Sequence, residues 1–220
     1  MPDRDGRDAR DARDVRETYD RIADHFAKTR EYPWPEVESF LADRDADVAL
    51  DVGCANGRHA ELLAERAGRV VGLDVSRELL AEARARATER AFDLELVQGD
   101  AAALPLADAA VGLAVYVATL HHLPTREARV ASLDELARVL DPGGAALVSA
   151  WSTAHDRFDR EEGFDTRVDW TLPGGETVPR FYHIYSPDEF RADVAASALI
   201  PAEVFVSSGN CYAVVRAEKQ

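Results

Sequence analysis

Asp47-Val48-Ala49-Leu50-Asp51-Val52-Gly53-Cys54-Ala55-Asn56-Gly57 is an apolar run closed by a loop of small residues, and the next apolar run, Val70-Val71-Gly72-Leu73-Asp74, ends in an acid. In a strand-helix-strand unit, small residues let the backbone turn sharply and approach a ligand closely. An acid at the tip of the following strand can then accept hydrogen bonds from a ribose diol. A dinucleotide site wants Gly at three positions of such a loop and brings pyrophosphate to a helix N-terminus. Here those positions read Gly53, Ala55 and Arg58, and Asp51 stands where an anion would be repelled. The loop therefore predicts a nucleoside ligand with a cationic end, such as S-adenosylmethionine with its ammonium and sulfonium groups.

Working outward, helical and strand periods alternate. Upstream, Val15, Tyr19, Ile22 and Phe26 place one apolar face on a helix over about 14–28, and Pro33 and Pro35 break the pattern before a short helix carrying Val37, Phe40 and Leu41. Downstream come a helix over about 58–67, a strand over 69–73, a helix capped by Ser76 that runs to about Arg90, and a strand over 94–97. The continuous apolar run Val111–Val117 suits a buried central strand. A helix over 126–140, capped by Thr125, stops at Asp141-Pro142-Gly143-Gly144 before a strand over 145–151. Residues 152–180 show neither period and read as a long loop with room for a short hairpin. Ser186-Pro187-Asp188-Glu189 opens a helix to about Ala198, and strands over 202–207 and 211–216 close the chain as a pair. The expected fold is α/β: a doubly wound, mostly parallel, seven-stranded sheet with an N-terminal helical extension, forming a single domain over 15–220 behind a charged, disordered tail over 1–14.

Composition bounds the function. No run reaches the roughly 18 apolar residues of a spanning helix, and Met1 to Asp14 alternate Asp and Arg where a secretory signal would be apolar, so a soluble, cytoplasmic protein without membrane partners is expected. Cys54 and Cys211 are the only cysteines, too few for a disulfide framework or for a zinc site built from this chain alone, and no metal is expected. Forty-one Asp and Glu face 26 basic residues, of which only Lys28 and Lys219 are lysines, for a net charge of -15. A dispersed acid excess of this kind fits work in concentrated salt, where self-repulsion is screened within about 3 Å at 1 M. It also means that a polyanionic partner would need local arginines or a second protein.

Ligands of open α/β sheets bind beyond the carboxyl ends of the strands, where strand order reverses. The loops there place Asp51, Gly53, Ala55 and Gly57 for the methionine part of such a cofactor, Asp74 for the ribose, Asp100 with Ala101 for the adenine amino group, and Val117 for the sulfonium region. His121 and His122 follow the fourth strand, over the transferable methyl group. Against a functional role, a His there often caps a helix or bonds a carbonyl. Arg30, Trp34, Tyr182, His183 and Tyr185 are further polar and aromatic groups outside the core pattern. Strand alternation sends Tyr182 and Ile184 to one face and His183 and Tyr185 to the other.

Tyr19-Asp20-x-Ile22-Ala23-x-His25-Phe26, Thr29-Arg30, Pro33-Trp34-Pro35, Asp51-Val52-Gly53-Cys54 with Asn56-Gly57, His121-His122, Thr125-Arg126-Glu127-x-Arg129, Gly143-Gly144, Trp151 and Arg180-Phe181-Tyr182-His183-x-Tyr185 together carry a resemblance. The chain resembles the class I S-adenosylmethionine-dependent tRNA methyltransferases that esterify 5-carboxymethyluridine at the wobble position, over roughly 15–216. It departs from them in Ala55, where that family has Gly, in a shorter segment over 152–180, and in its acidity. The resemblance implies a carboxylate nucleophile, which needs no strong general base. It also implies a clamp for that carboxylate, with Arg30 as the candidate and His121 or His122 as hydrogen-bond donor, and a base stacked on Trp34 or Tyr182. His183 and Tyr185 join the substrate-binding set. It further implies a small zinc-binding activating subunit on the edge strand of the sheet, which here is the third strand with Phe92, Leu94 and Leu96. On the residues alone two other readings stay open: a methyltransferase for a small quinone, amine or acid, and a non-catalytic cofactor-binding module.

Overall fold

Apolar runs without alternation suit strands covered on both faces, and they take the middle of the sheet. In the computed structural model, which describes residues 4–217 with side chains from Arg13 onward, β1 (Ala46–Val52) lies between β2 (Ala67–Asp74) and β4 (Val111–Val117), all parallel. β3 (Glu95–Gln98) pairs with β2 at one edge, and β5 (Leu140–Trp151) pairs with β4. β9 (Asn210–Arg216) and β8 (Ile200–Ser207) add antiparallel at the other edge. The resulting order, β3-β2-β1-β4-β5-β9-β8, is the expected seven-stranded sheet, with the third strand at its rim. Strand order reverses between β1 and β4, so the loops after these two strands border the crevice.

Helices start where the capping residues stand. Ser76 accepts from the Leu79 N–H at the head of α4 (Arg77–Arg90), Thr125 from Ala128 at the head of α5 (Arg126–Val139), and Ser186 from Glu189 at the head of α6 (Pro187–Ala196). α5 and α6 cover one face of the sheet through Leu133, Leu136, Phe190 and Val194. α2 (Pro35–Leu41) and α3 (Arg58–Ala64) cover the other through Val37, Phe40 and Leu63. α3 is a turn shorter than the periodicity predicts, because Ala67 already belongs to β2. β5 begins directly out of α5 at Leu140, ahead of the glycines. Val111 pairs with Leu140, the register shifts, and Gly143 at φ +99° lets the strand bulge and continue.

The N-terminal helix α1 runs Arg4–Lys28, longer than its apolar stripe. Of the tail expected to be disordered over 1–14, residues 1–3 lie outside the described residues, and from Arg4 the backbone is helical.

The largest difference lies in 152–180. This segment contains a hairpin with full-length strands, β6 (Phe164–Thr171) and β7 (Thr177–Ile184), turning at Gly174 and Gly175. Its alternation is hidden in the sequence because the inward positions of β7 are Val178, Arg180 and Tyr182, and the buried arginine breaks the hydropathy pattern. Tyr19, Ile22 and Ala23 of α1 pack on Leu79 of α4 and Val178 of β7. α1 and the hairpin thereby form a roof over the carboxyl end of the sheet. Among the described residues no helix is long and apolar enough to cross a membrane.

Candidate active site

The floor of the crevice is the loop after β1. Gly53, Ala55 and Gly57 all have positive φ, at +71°, +47° and +77°. A Cβ at Gly53 would overlap the Thr119 side chain, so that position admits only glycine. Ala55 takes the same left-handed conformation at a cost of about 1 kcal/mol. Its N–H is held at 2.9 Å by Asp74 Oδ2, while Asp74 Oδ1 accepts from the Ser76 N–H at 2.8 Å. Asp20 of α1 in turn accepts from the Ser76 hydroxyl and the Glu78 N–H.

The floor is rich in acceptors that lack donors. Asp51 is buried at the end of β1, and its Oδ2 has no hydrogen-bond partner; the Asn56 Oδ1 is likewise buried and unpartnered. Burial pushes the Asp51 carboxyl up to about 7, with Arg58 pulling down and Asp74 pushing up. Burial also lifts Asp74 to about 6, against the hydrogen bonds from the Ser76 and Ala55 N–H groups. Asp100 accepts from the Ala102 N–H at 2.9 Å and stands half-buried after β3, with Ala101 packed in the core behind it. Val117 ends β4 buried, and the chain then turns through Ala118 at φ +56°.

The roof is rich in donors. His122 Nδ1 meets the Phe181 carbonyl at 2.9 Å; a carbonyl only accepts, so the proton is on Nδ1 and Nε2 accepts from the Tyr19 hydroxyl at 2.8 Å. Burial lowers His122 to about 4, with the Phe181 bond opposing. His121 has the other tautomer: its Nδ1 accepts from the Trp151 N–H at 2.9 Å, leaving Nε2 protonated. Burial, then the neighbouring His122, holds His121 well below the usual imidazole range. Both rings are therefore neutral at pH 7. Of the two, only His121 keeps a ring N–H uncommitted among the described residues. Its ring lies 4.9 Å from that of Tyr182.

Arg30 follows α1. Its guanidinium lies 4.9 Å from the Phe26 ring centre and 5.4 Å from that of Trp170, bonds only Thr29, and makes no ion pair among the described residues. Asn56 of the floor donates to the Arg30 carbonyl at 2.9 Å and the Ala27 carbonyl at 3.2 Å, which ties this segment down. Arg30, His121, His122 and Tyr182 are thus brought to one roof.

Trp34 belongs to a separate cluster, with His59 and Tyr212 beside it and the Arg58 guanidinium 5.3 Å from its ring centre. One face of Trp34 is thereby occupied, which disfavours a base stacked there. His183 and Tyr185, expected in the substrate-binding set, have their polar atoms engaged away from His121 and His122. Both His183 nitrogens are taken by carboxylates, Nδ1 by Asp165 at 2.7 Å and Nε2 by Glu189 at 2.9 Å, and the buried Tyr185 hydroxyl donates to Asp193. They pin the hairpin to α6. Two residues quoted in the resemblance were given no role from the sequence: Asn56 in the floor loop, and Arg180, buried on β7 against Trp170 and Tyr182.

The family described as "Methyltransferase domain" matches residues 50–148, the floor and the central strands. A protein of Encephalitozoon cuniculi named "Putative methyltransferase ECU09_1500" is 33% identical over 175 residues, covering 76% of this chain and 78% of that protein. The chain belongs to the class I S-adenosylmethionine-dependent methyltransferases. The Macaca fascicularis tRNA (carboxymethyluridine(34)-5-O)-methyltransferase ALKBH8 is 36% identical over 137 residues, covering 62% of this methyltransferase chain. The chain spans 19% of the length of that relative. Among solved structures, the "Complex between the Haloferax volcanii Trm112 methyltransferase activator and the putative methyltransferase" superposes with a TM-score of 0.67 at 19% identity, covering 94% of this chain and 98% of that one. The floor fits the cofactor of a methyltransferase: the unpartnered Asp51 Oδ2 and Asn56 Oδ1 suit a cationic amino acid end, and Asp74 suits a diol.

Proposed function

We propose that this methyltransferase esterifies the carboxylate of 5-carboxymethyluridine at the wobble position of tRNA. The observation that carries the reading is Arg30: in a chain with a net charge of -15, its guanidinium sits over aromatic rings with no carboxylate partner among the described residues. An unpaired cation beside a neutral His donor suits an anionic substrate group. S-adenosylmethionine supplies an activated methyl group on a good leaving sulfur. As the carboxylate oxygen–methyl bond forms, the sulfur–methyl bond breaks with its electron pair left on sulfur, and no proton moves. The chain's own work is therefore to orient the carboxylate, through Arg30 and the His121 Nε2–H, and to exclude water with α1 and the hairpin. Tyr182 is buried between both histidines and the Arg180 guanidinium, and on this reading its phenol edge lines the wall of the substrate site.

The identity to tRNA carboxymethyluridine methyltransferases supports the substrate. The likeness to a methyltransferase solved with an activator supports a small partner subunit. On this reading the partner docks on the β3 edge, where Phe92, Leu94 and Leu96 are half-buried and a depression of about 490 Å³ opens beside Ala87, Ala91 and Phe92. A partnered subunit predicts co-purification of a small zinc protein; a chain fully active and monomeric alone contradicts it.

The deciding experiment is methyl transfer from labelled cofactor to total tRNA, set beside transfer to a metabolite extract, with mass spectrometry of the tRNA nucleosides. Label in the metabolites alone would make this a small-molecule enzyme, and label in neither would make it a binding module. Arg30→Ala is expected to lower kcat/KM by about 100-fold or more, the loss of a charged, bidentate hydrogen bond, while calorimetry finds cofactor affinity nearly unchanged. Equal loss of both would make Arg30 structural.

A further inference from the structure

The roof holds a second guanidinium, more deeply buried than Arg30. Arg180 is 7% exposed, its Nε has no hydrogen-bond partner, and its Cζ lies 4.8 Å from the Trp170 ring centre and 5.1 Å from that of Tyr182. Arg30 approaches the same indole at 5.4 Å. Among the described residues neither makes an ion pair.

Two other arginines withdrawn from water have acids beside them, whereas Arg58, half-buried over Trp34, makes no ion pair among the described residues. Arg129 has Glu189 at 3.8 Å and Asp193 at 3.9 Å, and Arg86 has Glu61 at 2.8 Å. A buried guanidinium given no acid, with the half-buried Arg30 charge on the same ring, is costly unless something anionic completes the pair. No carboxylate stands among the groups around them, which are the Tyr19 and Tyr182 phenols, whose oxygens can accept, and the imidazoles of His121 and His122.

Resting on the reading above, we propose that Arg180 is the second arm of a two-guanidinium clamp, and that with Arg30 it makes the site select a carboxylate over the neutral amide of the same shape. The amide would place an NH₂ donor against N–H donors and bring no charge to offset the pair. The clamp acts on binding more than on the chemical step. Methyl transfer joins an anion to a cation, so the carboxylate loses charge on the way to the transition state, and the ester product has none. Two guanidiniums therefore hold the substrate most tightly, the transition state less, and the product least.

The test uses the full chain with any subunit that co-purifies. Carboxymethyluridine-containing tRNA is the substrate, and the free carboxymethyl nucleoside and its amide serve as competing inhibitors. Wild-type protein is expected to be inhibited by the acid about 10- to 100-fold more strongly than by the amide, the value of a charged hydrogen-bonded pair. Arg180→Met is expected to raise KM by about the same factor, leave kcat within about threefold, and erase the acid-over-amide preference. Arg180→Lys restores charge without the fork and is expected to recover part of both, which keeps the test open if Arg180→Met does not fold. Unchanged KM and unchanged acid-over-amide preference in Arg180→Lys and Arg180→Met overturn the clamp alone. So does a parallel loss of cofactor affinity and melting temperature with the preference intact. Failure of the wild-type protein to methylate that tRNA overturns the substrate reading itself and the clamp with it.

Discussion

Floor and roof of the crevice are opposites in hydrogen-bonding sign. The floor, from 47 to 74, ends its polar groups in acceptors without donors, namely Asp51 Oδ2 and Asn56 Oδ1, with the Asp74 carboxylate close by. The roof, from α1, the turn after β4 and the hairpin, ends in donors with no acid beside them among the described residues: Arg30, bonded only to Thr29, Arg180 with its unpartnered Nε, and the His121 Nε2–H. A site of this kind separates a cationic donor from an anionic acceptor by electrostatics before any shape is considered, and the reaction between them removes both charges. Each half should therefore fail independently. The largest expected effect is on the floor: Gly53→Ala drives a Cβ into Thr119 at φ +71°. It should cost on the order of 3 kcal/mol in local structure and abolish calorimetric binding of S-adenosylhomocysteine, whereas Arg30→Ala retains that binding. Cofactor affinity lost in Arg30→Ala, or kept in Gly53→Ala, would break the division.

The same division explains what could be read from the sequence. The floor is local: two strands, one loop and one capping serine lie within thirty residues of chain and carry their turn chemistry and periodicity openly. The caps Ser76, Thr125 and Ser186 followed from the same signals, while the edge position of the third strand came with the family resemblance. The roof is assembled from three distant segments. Tyr182 and His183 are neighbours in sequence, yet one faces the histidines and the other is clamped by Asp165 and Glu189. Alternation separates the two faces but does not say which faces a site. The hairpin itself was masked by Arg180, because a buried charge at an inward position reads as a loop residue, and only its unpaired neighbour Arg30 marks it as functional. A positive φ at Ala55 could not be read either, since alanine carries no such signal.

A pH experiment sharpens the comparison with a smaller, graded effect. Asp51 is raised to about 7 in the folded protein, above its unfolded value near 4. The protonated carboxyl is the form that burial favours. Its contribution to stability is therefore fully present below about pH 4 and is lost as the pH rises through about 7. Ligand binding runs the other way, because a cationic end needs the anion. Between pH 5 and 7 the free protein should lose melting temperature relative to Asp51→Asn while cofactor affinity rises by up to about tenfold per pH unit. Asp51→Asn should weaken binding near neutral pH and flatten the upper part of that dependence. Parallel trends in stability and affinity would mean that Asp51 does not face the cofactor.

Asn56 is the stitch between the halves, and its removal should give the smallest loss. The side chain belongs to the floor loop, but its NH₂ donates to the Ala27 and Arg30 carbonyls, fixing the backbone that carries the guanidinium. Asn56→Ala forfeits two hydrogen bonds to backbone, worth about 1–2 kcal/mol together. Asp51 and Asp74 still supply the charge attraction to the cofactor, so its dissociation constant should move by no more than about threefold. The Arg30 segment, freed from its tie, should cost about tenfold in kcat/KM, paid in KM because the carboxylate meets a less ordered clamp. Should the cofactor constant shift tenfold or more with kcat/KM following only in proportion, the Asn56 Oδ1 contact with the cofactor outweighs the tie to the Arg30 segment, and Asn56 belongs to the floor alone.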